Sequence, residues 1–360
     1  MLEGDAPPLV VDLREAEELS RRPFPGALHL PWSELGGMGR EELSRRLPER
    51  EAAIVLLCAR GARSAKAAEL LRSHGYGRVD AAWMGIEDWA ERTRAGHAEL
   101  HPRLRTPEAL ERFARHLGLA EIGALGQSRL LGARVLVVGA GGLGCPAALY
   151  LASAGVGSLT IADFDRVELS NLQRQILHGV SELGAPKAES AARSLARLDP
   201  GCKVDARELR VDPSNALALC AGHDLVLDGS DDLATRYALS DAAGSLGVPL
   251  VHASVHRFEG QLTLLDPAKG GPCYRCMHPV EPERGLYPSC SAGGVLGVLP
   301  GLLGVLQATE ALKLLLGLGR PLRARLLVVD ALELAFHEFE VPPLEGCRCV
   351  AWRREGARSG

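Results

Sequence analysis

Cys58 opens the stretch C-A-R-G-A-R-S, residues 58–64, immediately behind the apolar run I-V-L-L. A thiol at a strand-to-helix turn meets successive backbone N–H groups and the N-terminus of the following helix, and both favour an anionic sulfur. Arg60, Gly61, Arg63 and Ser64 ring it; the arginines add positive charge and the glycine lets the loop curl tightly. An inert, buried thiol is the plain alternative. Cysteine phosphatase chemistry is another, but those loops read C-x5-R. The C-x4-R spacing here makes a smaller loop, which suits a sulfur atom better than a phosphate.

A second group of residues lies further along the chain. G-A-G-G-L-G places Gly139, Gly141 and Gly144 in G-x-G-x-x-G spacing between a predicted strand and a predicted helix. That spacing permits a tight turn and close approach of backbone to phosphate. Alone, it equally suits an NAD-dependent oxidoreductase. Asp163 ends the next predicted strand and can hold ribose hydroxyls in either case. The residues that follow favour nucleotidyl transfer. Asn171, Gln173, Arg174 and Gln175 come just past that strand, Lys187 follows in G-A-P-K, and Asp228 and Asp231 close a later strand in D-G-S-D-D. Cations neutralise a triphosphate and a strand-end carboxylate holds Mg2+; hydride transfer needs neither. A non-catalytic binding scaffold would be expected to lose these residues.

The third group is sulfur again. Cys273 and Cys276 form a C-x-x-C after a Gly-Pro turn, and Cys347 and Cys349 form a C-x-C near the C-terminus. Four thiolates make a closed, tetrahedral Zn2+ site that is structural rather than catalytic. A redox role for the C-x-x-C would require a thioredoxin-like context that this sequence lacks. Cys145, Cys202 and Cys220 fall in helical or strand patterns and read as packing residues.

Two α/β units are needed to position these groups. In the first, P-L-V-V-D-L and A-A-I-V-L-L-C read as strands, E-E-L-S-R-R-L and the stretch after Cys58 as helices, and M-G-I-E-D-W-A as a closing helical turn. Residues 93–107 lack apolar periodicity and hold two prolines, so they read as a linker. From about residue 108 a helix leads into a βαβ unit, and residues 351–360 form a basic tail. The length of 360 residues suits two domains, and 46% hydrophobic residues supply their cores. A formal charge of −4 gives no reason to expect nucleic acid or an anionic membrane as partner. Nine cysteines, not evenly paired along a chain of this size, fit a reducing, cytoplasmic compartment. The acidic start does not read as a signal peptide. The apolar run at residues 292–306 contains Pro300 and is too short to span a bilayer, so it reads as the start of a buried helix.

Residues 1–92 resemble a single-domain rhodanese. The matching pieces are V-V-D-L-R-E, with Asp12, Arg14 and Glu15, then P-F-P-G-A-L-H-L-P, the C-x-x-G-x-R-S loop, and M-G-I-E-D-W. The resemblance implies a sulfurtransferase whose Cys58 carries a persulfide cradled by loop amides. Residues 108–350 resemble the MoeB/ThiF family, through G-A-G-G-L-G, D-F-D-R-V-E-L-S-N-L-Q-R-Q-I-L-H, G-A-P-K, D-G-S-D-D, G-P-C-Y-R-C and G-V-L-Q-A-T-E-A-L-K-L-L-L-G. That resemblance implies a Rossmann-like ATP-binding domain with a mixed sheet. It also implies adenylation of a ubiquitin-like sulfur carrier protein ending in Gly-Gly, of MoaD type by preference and ThiS type otherwise. By position it assigns Asp163 to the ribose, Asn171, Arg174 and Lys187 to phosphates, and Asp231 to Mg2+. It further implies a homodimer in which Arg115 of E-R-F-A-R-H-L reaches a neighbouring subunit's site, a zinc site at Cys273, Cys276, Cys347 and Cys349, and a crossover-loop thiol at Cys290. The family's second zinc pair is normally C-x-x-C, one residue longer than here. Together the two halves imply that an upstream sulfur donor loads Cys58 and that sulfur passes to the adenylated carrier.

Overall fold

The C-terminal ends of parallel strands hold most of the residues singled out above. The structure, a computed structural model, describes residues 9–21, 27–47, 50–59, 61–81, 100–119, 121–281 and 294–356. Arg60, Cys290 and the M-G-I-E-D-W-A turn lie outside the described residues. The chain divides into two compact units, residues 1–129 and 130–360.

In the first unit, β1 (Leu9–Asp12), β2 (Leu28–His29), β3 (Ile54–Leu57) and β4 (Val79–Ala81) form one sheet in the order β2-β1-β3-β4, with every pairing parallel. The apolar runs L-V-V-D and I-V-L-L are what a sheet covered on both faces demands. Val11, Leu13, Ile54, Leu56, Leu71 and Val79 build its core. The helix Ala62–Ser73 leaves the end of β3 through the Cys58 loop.

Part of the stretch expected to be a linker is regular structure. Pro102–Arg105 is a 3-10 helix and Pro107–Arg112 an α-helix, and Leu100 and Leu104 are buried. Both prolines occupy first-turn positions, where a missing N–H costs nothing. His101 Nδ1 accepts from the Arg103 amide at 3.3 Å, and Thr106 Oγ1 accepts from the Ala109 amide at 3.2 Å, so each helix start is capped. Residues that punctuate a linker also start helices, and sequence alone does not separate the two uses.

The second unit is built on an eight-stranded mixed sheet, β12-β11-β10-β9-β8-β5-β6-β7. Here β5 is Arg134–Val138, β6 Ser158–Ala162, β7 Lys203–Arg207 and β8 Leu225–Asp228. The rest are β9 (Leu250–His256), β10 (Glu259–Leu265), β11 (Arg325–Asp330) and β12 (Ala335–Glu340). Strands β9, β8, β5, β6 and β7 run parallel; β10, β11 and β12 continue the sheet antiparallel. From β5 the chain winds outward to β6 and β7, then returns to the other side for β8 and β9. The reversal leaves a crevice between the C-terminal ends of β5 and β8, where open α/β sheets bind ligands.

Two glycines let the backbone close around that crevice. Gly139 has φ +94°, and a Cβ there would lie 2.8 Å from the Gly229 carbonyl oxygen at the end of β8. A Cβ on Gly144 would lie 1.7 Å from the Gly139 carbonyl oxygen. Gly141 differs, its nearest neighbour being the Gln175 amide nitrogen at 3.7 Å.

The apolar run continues as the helix Val298–Leu316. By length and composition it could cross a membrane, but Leu299, Leu303, Gly304, Gln307, Ala308 and Ala311 are buried in this unit. Gln307 Nε2 donates to the carbonyl oxygens of Asp228 at 2.8 Å and Val251 at 3.2 Å, which fixes the helix on β8 and β9. The run is therefore the start of a core helix, as expected. The basic tail begins inside another helix, Cys349–Gly356, whose Trp352 lies against Gly244.

We expect Gly144→Ala to lower stability by about 3 kcal/mol or more, because its methyl group has no room against backbone, and Gly141→Ala to stay within about 1 kcal/mol. Thermal unfolding of both variants checks this, and equal melting temperatures would refute the packing argument.

Candidate functional site

A cavity of about 440 Å³ opens at the crevice between β5 and β8. Gly139, Gly141, Asp163, Asn171, Arg174, Lys187 and Asp231 all line it, so sequence positions spread over three strand ends converge on one space. Gly144 does not line it; the residue lies beneath the loop and serves close packing. Arg115 is exposed on the short helix Ala114–Leu117 of the first unit, and its assignment rests on the sequence alone.

Asp163 follows β6 and turns its carboxylate back onto the glycine loop. Oδ2 accepts from the Ala140 amide at 2.7 Å and Oδ1 from the Asp165 amide at 2.8 Å. Burial raises its carboxyl above the usual range, and the Lys187 ammonium partly opposes that. The Ala140 carbonyl is also held: His178 Nε2 lies 2.9 Å from it, and Ser190 Oγ is 2.8 Å from His178 Nδ1. Ala140 is thus held at both its amide and its carbonyl. His178 closes the quoted motif S-N-L-Q-R-Q-I-L-H, yet no local pattern in the sequence gave it a role.

The cations are placed with partners. Lys187 begins the helix Lys187–Leu198, is buried, and donates to Asp165 Oδ2 at 2.9 Å. Arg174 Nη1 donates to the Ser170 carbonyl at 3.2 Å. Asn171 is buried, and its Oδ1 accepts from the Glu168 amide at 3.4 Å. Arg236 is a further cation of the lining that the sequence reading missed. It stands one turn past Asp232, the N-cap of the helix Leu233–Leu246, and donates to the Ser230 carbonyl at 2.9 Å. Asp231 is exposed to the cavity and has no hydrogen-bond or ion-pair partner among the described residues. A carboxylate left free among cations is suited to a divalent ion.

Asp228, the other strand-end acid, has a different job. It is buried behind the cavity and pairs with His252 Nδ1 at 2.8 Å, its register neighbour on β9. Its Oδ1 accepts from the Ser230 amide at 3.0 Å and hydroxyl at 2.6 Å, which holds the turn that presents Asp231. Burial alone would raise the Asp228 carboxyl, but His252, Arg236 and Ser230 outweigh it and hold it below the usual range. Burial pushes the His252 ring below the usual imidazole value against the pull of Asp228. The pair is therefore carboxylate and neutral imidazole.

In the first unit, Cys58 is buried at the end of β3. The Gly61 amide donates to its Sγ at 3.0 Å, and Ser64 Oγ lies 3.5 Å from the sulfur while donating to the Gly61 carbonyl at 2.7 Å. Gly61 has φ +88°, which a side chain would resist. Arg63 is not left open to the sulfur. Its guanidinium makes a two-pronged pair with Glu18 at 2.7 and 2.6 Å, holding the helix Ala16–Arg21 to the loop. Asp12 and Arg14 form a buried pair at 2.7 Å behind it.

The four thiols of the two cysteine pairs meet despite the short second pair. Cys273 and Cys276 sulfurs are 3.8 Å apart, Cys273 and Cys347 3.6 Å, and Cys276 and Cys349 3.5 Å. All four lie within 4.8 Å of one another. A tetrahedron of sulfurs about 2.3 Å from zinc has edges of about 3.8 Å, so the cluster has the size such an ion requires. Burial, then the neighbouring thiols, pushes Cys273 well up, and burial takes Cys349 to about 12. A divalent cation offsets both effects. Cys145 and Cys220 are buried and pushed up by burial to about 12, which leaves them as protonated packing groups.

Residues 113–349 match the ThiF family and residues 1–92 the rhodanese-like domain. The chain belongs to the ThiF family and carries a rhodanese-like domain ahead of the ThiF region. It is 53% identical over 227 residues to the SAMP-activating enzyme E1 of Haloferax volcanii, covering 63% of this chain and 83% of that protein. It is 48% identical over 237 residues to the probable adenylyltransferase/sulfurtransferase MoeZ of Mycobacterium tuberculosis, covering 65% of this chain and 60% of that protein. Its fold resembles the crystal structure of E. coli MccB with MccA-N7isoASN, at a TM-score of 0.59 and 20% identity over 66% of this chain and 74% of that one.

Because both Asp228 and His252 bind fewer protons folded than unfolded, their stabilisation is present above their unfolded pKa values and lost as pH falls. His252→Ala should cost about 3 kcal/mol at neutral pH by leaving a buried carboxylate without its donor. The stability difference from wild type should shrink as pH falls through the range in which the pair takes up protons. Denaturant unfolding followed by circular dichroism at neutral and acid pH reads both, and a loss that is the same at every pH would contradict the pairing.

Proposed function

We propose that this chain uses ATP and Mg2+ to adenylate the C-terminal glycine of a ubiquitin-like sulfur carrier protein, and that a persulfide on Cys58 then converts the acyl adenylate to a thiocarboxylate. The observation that carries this reading is the crevice cavity, where a glycine loop, phosphate-directed cations and the unpartnered Asp231 face one space. The names of the archaeal and mycobacterial relatives support it. Residues 1–92 are read as the sulfurtransferase domain and 108–350 as the adenylyltransferase domain.

ATP enters with its ribose at Asp163 and its phosphates over the glycine loop beside Asn171, Arg174 and Lys187. Phe164, Leu209 and Val211 offer the base an apolar wall. Asp231 holds the Mg2+, which neutralises charge on the phosphates. A carboxylate oxygen of the carrier attacks the α-phosphorus, the bond to pyrophosphate breaks, and pyrophosphate leaves. At the rhodanese loop, amides such as that of Gly61 stabilise the anionic outer sulfur. That sulfur attacks the acyl carbon and AMP leaves; a second thiol then cleaves the S–S bond, releasing the thiocarboxylate and forming a disulfide with Cys58. Joining donor and activator in one chain raises the effective concentration of sulfur.

A MoaD-type carrier, and with it molybdenum cofactor biosynthesis, is favoured by the likeness of S-N-L-Q-R-Q-I-L-H to MoeB; a ThiS-type carrier of thiamine biosynthesis is the alternative. We read the assembly as a cytoplasmic homodimer with Arg115 acting across the interface, the four-cysteine cluster as a zinc site, Cys290 as an auxiliary thiol, and the first sulfur as coming from an upstream donor.

Asp231→Ala should lower carrier-dependent ATP–pyrophosphate exchange by several orders of magnitude, and unchanged exchange would sink the adenylation reading. Cys58→Ala should retain exchange but abolish thiosulfate:cyanide sulfur transfer and thiosulfate-driven thiocarboxylate formation. Cys290→Ala should keep the sulfur transfer. Intact mass of the carrier reports oxygen-to-sulfur exchange in each variant, and a full yield from Cys58→Ala with thiosulfate as sole donor would overturn the assignment of the sulfur.

A further inference from the structure

The residue before the second cysteine of each pair is an arginine: Arg275 in Cys273-Tyr274-Arg275-Cys276 and Arg348 in Cys347-Arg348-Cys349. Both guanidinium groups meet one carboxylate, that of Asp241 on the helix Leu233–Leu246. Arg275 Nε donates to Oδ1 and Oδ2 at 3.2 Å each, and its Nη2 to Oδ2 at 2.9 Å. Arg348 Nη2 lies 3.0 Å from the same Oδ2. Glu281 also pairs with Arg275, at 3.3 Å, but among the described residues only Asp241 ion-pairs with both segments.

The neighbours of Asp241 on the same helical face prepare the docking. Tyr237, Ser240, Asp241 and Gly244 are spaced to share one side of the helix. Tyr237 donates its hydroxyl to the His278 carbonyl at 2.9 Å, and its ring lies edge-on to Tyr274 with centroids 5.0 Å apart. Ser240 Oγ accepts from the Tyr274 amide at 2.9 Å. A Cβ on Gly244 would lie 2.5 Å from the Trp352 ring, so the segment just past Cys349 rests on this bare position. The first cysteine segment is thus fixed by several contacts. The second begins the helix Cys349–Gly356, which packs on the 3-10 turn Pro267–Lys269 and sets Trp352 on Gly244; within the pair itself it has the link from Arg348 to Asp241.

Cys273 and Cys347 are 74 residues apart, and gathering four thiolates is opposed by burial and mutual repulsion. The second pair also lacks a residue that the C-x-x-C form would use to curl around an ion. The geometry points to Asp241 as the positioning residue of the cluster: its carboxylate holds both cysteine segments at once, through Arg275 and Arg348, and so presents four sulfurs to a cation. This rests on the reading of the cluster as a zinc site. Asp241 touches no sulfur in this arrangement; it acts on the ligands through the arginines beside them.

The test uses the full chain as wild type, Asp241→Asn, Asp241→Glu and Arg348→Gln, with Zn2+ and Co2+ as probes. Competition with a chromogenic chelator gives the zinc affinity. The Co2+ thiolate charge-transfer and d–d bands report how many sulfurs hold the ion and in what geometry. Asp241→Asn should lower affinity by about 10–100-fold and weaken the thiolate bands, and Asp241→Glu should restore most of both. Arg348→Gln, at a side chain 54% exposed, cuts one tether with little risk to folding and should shift both readouts in the same direction. Wild-type affinity and wild-type Co2+ spectra in Asp241→Asn and Arg348→Gln would overturn the proposal while leaving the zinc reading standing. A wild-type chain that takes up neither ion would remove the zinc reading itself, and the tether with it.

Discussion

The close approach of Gly144 to the Gly139 carbonyl is the constraint on which the crevice cavity depends. It brings the N-terminus of the helix Gly144–Ser153 directly onto the turn that leaves β5. Gly139 in turn faces the Gly229 carbonyl at the end of β8, so the two strands that flank the sheet's reversal are in backbone contact. With no side chain at these places, loop amides line the crevice where the helix N-terminus concentrates partial positive charge. The two peptides that flank Ala140 are held, because Asp163 takes the Ala140 amide and His178 meets the Ala140 carbonyl.

The helix Leu233–Leu246 joins the chemistry of the cavity to the sulfur cluster. Its N-cap, Asp232, and its first turn, with Thr235 and Arg236, line the cavity next to Asp231. Its following turns carry Tyr237, Ser240, Asp241 and Gly244, which hold the cysteine segments. The buried pair of Asp228 and His252 secures the turn ahead of this helix, and His252 is itself edge-on to Tyr274 of the first cysteine pair at 5.1 Å. Burial of such a pair is costly unless each lone pair and proton is used, and here Ser230 satisfies the second carboxylate oxygen.

The rhodanese loop works on a related principle at smaller scale. A positive-φ glycine at a helix start turns its own amide, that of Gly61, toward one sulfur. Arg63, which the sequence suggested as a charge beside that sulfur, is taken by Glu18 and becomes a strut between the loop and the helix Ala16–Arg21. The charge remains in the neighbourhood, but its direction is set by a residue 45 positions away.

The sequence by itself determined the α/β alternation, the glycine turn, the strand-end acids, the thiol loop and the two cysteine pairs. Each of these is written in neighbouring residues: periodicity, turn chemistry and short spacings act over a few positions, where chain geometry leaves little choice. Tertiary structure decided the rest. It separated Asp228 from Asp231, burying one against His252 and leaving the other open, although both stand in one short motif. It brought Arg236 and His178 to the glycine loop's surroundings and gave Arg63 to Glu18. It turned two prolines of an apparent linker into helix starts, and it closed a C-x-C against a C-x-x-C through Asp241. These outcomes depend on strand order and on which helix faces are buried together, and the free energy that selects among them comes from surfaces distant in the chain meeting in space.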